Sequence, residues 1–385
     1  MKILNINFSK TPEDKLAWSG TAYKAYIGLK GTGADVDHLF CDSIGYAFPE
    51  FFQKVYGYTM RHVVRKKFSR MFSIAWRDSL YRFLVKQDFS GYDYIFVTAS
   101  SAIASALRLA LEKQNCKTPY IVLSDATFSA LHNYYPTASN LLGRSIKQAN
   151  EIGKHAYEGA YKIIFSSEWS KQHAVEDYNI DPTKIVVIPF GANIDDPVLG
   201  TISKDYTDKT RFNLFLSGIH WGRKGGDIAI QCCRNLIVKG VNVTLHIAGM
   251  SVPKEYGKLD FVVEHGFLNK NNKAQYAEFV ELQKQMDLML FPSKAECSSI
   301  ALCEAAGFGL PVLCYDTGGL ANYVINDVNG YRMPMNATGD DFAEMILKWI
   351  HGDLLTKYSK GASELYRDRL NWNRWSEAVK NKVLV

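Results

Sequence analysis

The 385-residue chain has no run of about 18 uncharged apolar residues, so no segment reads as a membrane-spanning helix. The longest candidate, Ser298 to Tyr315, carries Glu304, two glycines and Pro311. The start, Met1-Lys2-Ile3-Leu4-Asn5-Ile6-Asn7-Phe8, lacks a long apolar core and a small-residue cleavage site, and no signal peptide is expected. The seven cysteines are odd in number and none shows C-x-x-C spacing. That argues against a disulfide framework or a structural zinc, and for reduced core thiols in a cytoplasmic protein. There is no low-complexity tract, no short-period repeat and no G-x-G-x-x-G, the last of which argues against a dinucleotide fold. With 47% apolar and 22% charged residues the composition is that of a folded globular enzyme, and the length suits two domains.

Net charge is +6, and it is uneven. Arg61 to Lys86 holds eight Lys/Arg and one acid, Asp78, so this segment is +7 and the remainder of the chain is −1. On a helix, Val64, Phe68, Met71, Phe72 and Ala75 share one face, while Lys66, Lys67, Arg70 and Arg77 take the other. Two compatible readings follow. One is a surface helix docked on its own domain; the other is adhesion to an anionic membrane surface through Arg65, Lys66, Lys67 and Arg70. No RNA- or DNA-binding signature accompanies the patch, and no nucleic-acid partner is expected.

Short β-rich apolar runs recur along the chain, separated by longer helical stretches. In the first half they are Lys2–Phe8, Val36–Phe40, Tyr94–Thr98, Tyr120–Leu123, Ile163–Ser166 and Ile185–Ile188. The second half has Asn213–Ser217, Val243–Ala248, Phe261–Val263, Leu288–Phe291, Pro311–Tyr315 and Gly330–Met333. Continuous apolar strands alternating with helices predict parallel sheets covered on both faces. The pattern restarts after the polar stretch Asp195 to Arg211, which reads as a linker. The expectation is an α/β protein of two doubly wound domains flanking a cleft, with ligands beyond the carboxyl ends of the strands.

Several strand-to-helix turns carry residues suited to chemistry. After the first strand, Trp18-Ser19-Gly20-Thr21-Ala22 is a small turn that lets a ligand approach the backbone. Asp125, just past Tyr120–Leu123, suits either a hydrogen bond to a substrate hydroxyl or base chemistry, or else a helix N-cap. Arg223-Lys224-Gly225-Gly226 follows the first strand of the second half and precedes an apolar-periodic helix. Paired cations on flexible glycines at a strand end form an anion site suited to phosphate, although a solvated basic turn has the same composition.

Glu296 and Glu304 stand eight residues apart. On one continuous helix they would sit about 12 Å apart along the axis and could not form a close pair. Ser298 and Ser299 are good N-caps before an Ala-rich helix, which places Glu296 in the loop and Glu304 on the helix, with N–H groups near Ser298–Ile300 exposed between them. Carboxylates accept from sugar hydroxyls, while a helix start meets negative charge, so a hydroxyl-rich ligand bearing phosphate fits. Gly318 and Gly319 follow another strand, in a turn open to close ligand approach or simply tight.

Taken together, these residues resemble glycosyltransferase family 4, retaining enzymes of the GT-B fold. The resemblance covers most of the chain and is densest from about 213 to 335, through Arg223-Lys224-Gly225-Gly226, Glu296…Glu304, Gly309-Leu310-Pro311-Val312 and Gly318-Gly319. Ser124–Phe128, Ser166–Trp169 and Pro189–Asn193 look like some bacterial members. The resemblance implies two Rossmann-like domains: an acceptor-side domain at 1–194, a linker at 195–211 and a nucleotide-sugar domain at 212–365. A final helix, about 366–385, would pack back on the first domain.

It implies a metal-independent hexosyltransferase with no cofactor, moving a sugar from a nucleoside-diphosphate sugar to a hydroxyl acceptor. Polysaccharide biosynthesis is the expected setting, with a lipid-linked or cell-envelope glycan or glycolipid as acceptor, on the inner face of the plasma membrane. By the same analogy Arg223 and Lys224 bind the diphosphate, Glu304 the ribose and Glu296 the transferred sugar. Backbone groups at Ser298, Ser299 and Ile300 meet sugar and phosphate oxygens. The pattern departs from the family at Cys297-Ser298-Ser299, at Ile219, at Asn322 and at Asp125, the nearest counterpart of a frequent histidine. A sugar-nucleotide epimerase and a noncatalytic nucleotide-sugar-binding partner would share the phosphate site.

Overall fold

The computed structural model describes residues 1–42, 55, 57–195 and 198–385. The chain divides into two compact units, one of Met1–Ile188 with Ser376–Val385 and the other of Pro189–Trp375. Each is built on a parallel six-stranded sheet.

In the first unit the strands are β1 (Lys2–Asn7), β2 (Asp35–Phe40), β3 (Tyr94–Thr98), β4 (Tyr120–Ser124), β5 (Lys162–Phe165) and β6 (Ile185–Val187), in the order β2-β1-β3-β4-β5-β6. The second has β7 (Arg211–Ser217), β8 (Asn242–Ala248), β9 (Val262–Gly266), β10 (Leu288–Phe291), β11 (Val312–Tyr315) and β12 (Gly330–Met333), in the order β12-β11-β10-β7-β8-β9. Every apolar run picked out from the sequence is one of these strands. They read as continuous apolar runs because helices cover both faces. In the second sheet Leu214, Leu216, Leu245, Ile247 and Leu290 face one core, while Phe215, Met289, Phe291, Val312 and Cys314 face the other. All seven cysteines are free thiols, and six are buried.

Residues 198–211, in the stretch whose composition suggested a linker, pack with the second unit; Asp196 and Pro197 lie outside the described residues. Val198, Leu199 and Ile202 rest on one core, and Tyr206 enters the other. Polar side chains in this stretch serve local bonds: the Lys204 amine donates to the carbonyls of Lys284 and Met286, and the Tyr206 hydroxyl to that of Asp287. At the other end, the helix Trp372–Lys382 begins in the second unit, and its residues from Ser376 onward belong to the first. There an added Cβ on Gly31 would lie 3.0 Å from the Ser376 Oγ, and Tyr94 and Tyr161 donate to the Val385 backbone oxygen at 3.3 and 2.8 Å.

Sheet order decides where ligands can sit. In the second unit, connections run outward in opposite directions from β7 and β10, which are neighbours. The loops leaving these two strands therefore diverge and open a crevice at their carboxyl ends. A matching reversal lies between β1 and β3 in the first unit.

One half-buried pair in the second sheet ties stability to pH. His246 on β8 and His265 on β9 stack with ring centroids 5.3 Å apart and ring nitrogens 3.0 Å apart. Burial, reinforced by His265 and Arg211, brings His246 from 6.5 down to about 4. The folded chain then binds fewer protons at this site than the unfolded chain does, so its contribution is intact above about pH 6.5 and is lost as pH falls toward 4. The urea midpoint should fall across that window, and His246→Phe should flatten the fall. An unchanged pH profile in the variant would count against the assignment.

Candidate active site

The loop leaving β7 runs from Gly218 into a short helical turn, Trp221–Lys224, and then the helix Gly226–Val238. Gly225 joins them with φ +72°, and a Cβ there would lie 2.1 Å from the Pro292 carbonyl oxygen. Only glycine lets the β7 loop lie against the loop that follows β10. Lys294 N donates to the Arg223 carbonyl at 2.8 Å, which fastens the two loops at the crevice.

Three side chains converge on Glu296. Arg223 Nη1 and Lys224 Nζ each donate to its Oε1 at 2.7 Å, and Ser293 Oγ donates to the same atom at 2.5 Å. Arg223 also donates to the Ala295 carbonyl at 2.9 Å. Lys224 is 6% exposed and Glu296 4%. The Lys224 ammonium lies 4.3 Å from the Phe291 ring centroid, and its aliphatic chain passes Gly218, where a Cβ would lie 2.4 Å from Cε. Burial pulls the Lys224 ammonium below its usual range; Glu296 holds it up, and Arg223 works against it. Two cations facing one carboxylate leave net positive charge in a low-dielectric pocket, the condition for holding a multiply charged anion.

Glu296 stands in the loop and Glu304 on the helix Ile300–Gly307. Ser299 precedes that helix, but its hydroxyl makes no capping bond; its carbonyl accepts from Leu302 N at 3.1 Å and Cys303 N at 3.3 Å. Ser298 and Ile300 are half-buried at the helix start, and Ser299 is buried. Glu304 is 3% exposed and pairs with Lys270 from the loop after β9. Gly318 and Gly319 open the turn Gly318–Asn322, where Gly319 N donates to the Glu296 carbonyl at 2.9 Å. That N–H braces the Glu296 loop. The structure thus brings Arg223, Lys224, Glu296 and Gly319 into one bonded group, and gives Glu304 a separate partner.

Sequence reasoning missed Lys270 and Ser293. Ser293 lay in the stretch already singled out. For Lys270 the signal was indirect: a carboxylate among Ala301, Leu302, Ala305 and Ala306 needs a cation, and the loops at the same sheet edge are where one can come from.

The remaining candidates belong to the first unit. Gly20 is buried at φ +85° before the helix Thr21–Gly31, and Trp18 and Ser19 precede it at φ 49° and 58°. Such a left-handed run costs energy wherever a side chain is present. Asp125 is half-buried beyond β4, and its carbonyl accepts from Ser170 Oγ. It does not cap a helix: Thr127 takes that place for Phe128–Leu131, accepting from Ala130 N at 3.2 Å.

The basic segment differs from the single amphipathic helix expected. A wide turn at Met60–Val64 ends where Arg65 takes φ 57°. Extended backbone at Lys67 then forms an isolated bridge with Leu141, donating to Asn140 O at 2.7 Å and accepting from Leu142 N at 2.9 Å. A new helix, Ile74–Leu84, starts only at the Ser73 cap. Backbone pairing across the 67–141 bridge overrides the helical spacing of the side chains. Arg65 and Lys66 are exposed, whereas Lys67 donates to Pro136 O at 2.9 Å and Arg70 lies 4.1 Å over the Trp76 ring.

Comparison with known proteins agrees with this architecture. Residues 206–365 match the Glycosyl transferases group 1 family. The uncharacterized glycosyltransferase MJ1178 of Methanocaldococcus jannaschii is 25% identical over 237 residues, 61% of this chain and 62% of its own length. The lipopolysaccharide glucosyltransferase WaaG of Escherichia coli is 32% identical over 123 residues, 30% of this chain and 31% of its own. The aligned stretches span less than two thirds of either relative. Among solved structures, HepE of Anabaena in complex with UDP superposes with a TM-score of 0.62 at 17% identity, covering 98% of each chain. The fold is the α/β GT-B fold of such glycosyltransferases.

The Lys224–Glu296 contact is testable by a double-mutant cycle. Glu296→Gln leaves the Lys224 ammonium buried without its carboxylate and should destabilise the fold by about 3–5 kcal/mol, whereas Lys224→Met leaves Glu296 paired with Arg223 and should cost less. The double variant should lose less than the two singles combined, with coupling of about 1–3 kcal/mol in chemical denaturation. Additive losses would show that the two groups do not interact.

Proposed function

We propose that the chain is a retaining, metal-independent glycosyltransferase of family 4. It transfers a sugar from a nucleoside-diphosphate donor to a hydroxyl of a lipid-linked or cell-envelope glycan. The observation that carries this reading is the buried Arg223–Lys224–Glu296 group at the β7/β10 reversal. In such a reaction the bond from the anomeric carbon to the diphosphate breaks, and negative charge builds on the departing phosphate oxygen. Arg223 and Lys224 stand ready to receive that charge, and need little reorganisation because Glu296 and Ser293 already orient them.

Burial lowers the proton affinity of Lys224, and an approaching diphosphate would raise it again, so the ammonium gains most as the leaving group's charge develops. Glu296 serves the hydroxyls of the transferred sugar, and Glu304 serves the ribose. The loops at Gly20 and Asp125 follow strands of the first unit; Gly20 is assigned to donor binding, and Asp125 to a substrate hydroxyl or base chemistry. HepE was solved with UDP, and WaaG is named for glucosyl transfer to lipopolysaccharide; both support a nucleotide-sugar donor and an envelope acceptor.

No helix among the described residues is long and apolar enough to cross a membrane. A peripheral contact is proposed instead at the segment around Arg65. Val63 is 76% exposed, Tyr58 66%, Met71 62% and Val64 47%, beside the exposed Arg65 and Lys66. Exposed apolar side chains among cations suit an anionic lipid surface, each cation contributing about 1 kcal/mol.

Two experiments test the reading. Nucleoside diphosphates and nucleotide sugars should raise the melting temperature of the wild type, and Lys224→Met should cut transfer by roughly 100–1,000-fold. Wild-type turnover in that variant would refute the assignment of Lys224. Release of a rearranged sugar without acceptor would instead identify an epimerase, and donor binding without turnover a binding partner. Separately, Arg65→Glu with Lys66→Glu should abolish sedimentation with vesicles containing anionic phosphatidylglycerol. Absence of vesicle binding by the wild type would end the membrane proposal.

A further inference from the structure

Glu304 is 3% exposed, and among the described residues only its Oε1 is engaged, by the Lys270 ammonium. Its second oxygen is therefore an unused acceptor on a carboxylate that is otherwise enclosed. Lys270 is not a loosely placed surface lysine. Its side chain is 16% exposed, and its ammonium lies 4.9 Å from the Phe279 ring centroid. The loop that carries it is pinned on both sides. Asn269 N donates to Gln275 Oε1 at 2.8 Å, and Asn271 N donates to Asn269 Oδ1 at 2.9 Å. Asn272 then caps the helix Lys273–Gln285 by accepting from Ala274 N and Gln275 N. A cation held this firmly, and bonded to one oxygen only, fixes the rotamer of its partner.

We propose that Lys270 is the positioning residue for the donor's ribose. It holds Glu304 with Oε2 turned to accept from the ribose 2′-hydroxyl, and so lets the site tell ribonucleotides from 2′-deoxyribonucleotides. This inference rests on the reading that Glu304 meets the ribose. A hydrogen bond from a hydroxyl to a fixed, charged acceptor is strong, and a ligand lacking the hydroxyl leaves the buried acceptor unpaired. Discrimination then follows from the position of Glu304, which Lys270 sets.

Isothermal titration of UDP, GDP and ADP, each against its 2′-deoxy counterpart, tests this on the full chain. The wild type should prefer the ribonucleotide by about tenfold or more for whichever base binds, the equivalent of one charge-assisted hydrogen bond. Lys270→Met should bring that ratio to within about threefold of unity, mainly by weakening ribonucleotide binding. Because Lys270→Met leaves a buried carboxylate unpaired and can compromise folding, Lys270→Arg is the decisive variant. Arginine keeps the ion pair, but its planar fork engages both carboxylate oxygens and so competes with the ribose for Oε2. The proposal expects Lys270→Arg to melt like the wild type and still lose the ribose preference. A well-folded Lys270→Arg that retains the wild-type ratio would overturn it while leaving the assigned donor site standing. Failure of the wild type to bind any of the nucleoside diphosphates would overturn the donor-site reading and this inference together.

Discussion

Two cations and one carboxylate, enclosed where the second sheet reverses its winding, set the terms for the rest of the structure. Removing these groups from water is costly, and only close mutual contact offsets that cost. Contact at 2.7 Å in turn requires two loops from neighbouring strands to touch. Gly225 meets that need by its left-handed backbone and its missing Cβ, and Gly218 by making room for the Lys224 side chain. The apolar strands beneath keep β7 and β10 in register, so the core's contribution to function is positional.

The two glutamates of the second unit show how one sheet edge makes two different sites. Glu296 draws its cations from the loop after β7, Glu304 from the loop after β9. Each carboxylate is enclosed and each is bonded through a single oxygen in the contacts with its cations. They differ in surplus: positive charge exceeds negative at Glu296, whereas Glu304 and Lys270 balance. The excess of positive charge at the first suits the proposed diphosphate contact, and the balanced pair at the second the proposed ribose contact.

Much of this was legible in the sequence. Parallel strands buried on both faces have to be apolar throughout, so their positions and the α/β class could be read directly. Arg223-Lys224 stood out as adjacent cations before two glycines at a strand's carboxyl end, and Glu296 as a carboxylate in the loop before a helix start. What could not be read were contacts set by distant backbone. Lys270 is thirty-four residues from the glutamate it serves, and no periodicity links them. The segment from Arg61 to Lys86 has helical spacing, yet its middle pairs with Leu141, and local spacing carries no trace of that partner. Ser299 sits where a cap belongs, but its hydroxyl is not used as one. Side-chain pattern reports burial well, and backbone partnership across long separations poorly.

The helix Trp372–Lys382 has a consequence for how the protein is made. The second unit is one uninterrupted stretch of chain, whereas the first includes Ser376–Val385, far along the chain from its opening strands. During translation the later half can therefore reach its complete set of contacts before the earlier half does. The strands of the N-terminal sheet are all made by Val187, but the apolar surface that Val379 and Val383 cover stays open until residues 376–385 have been made.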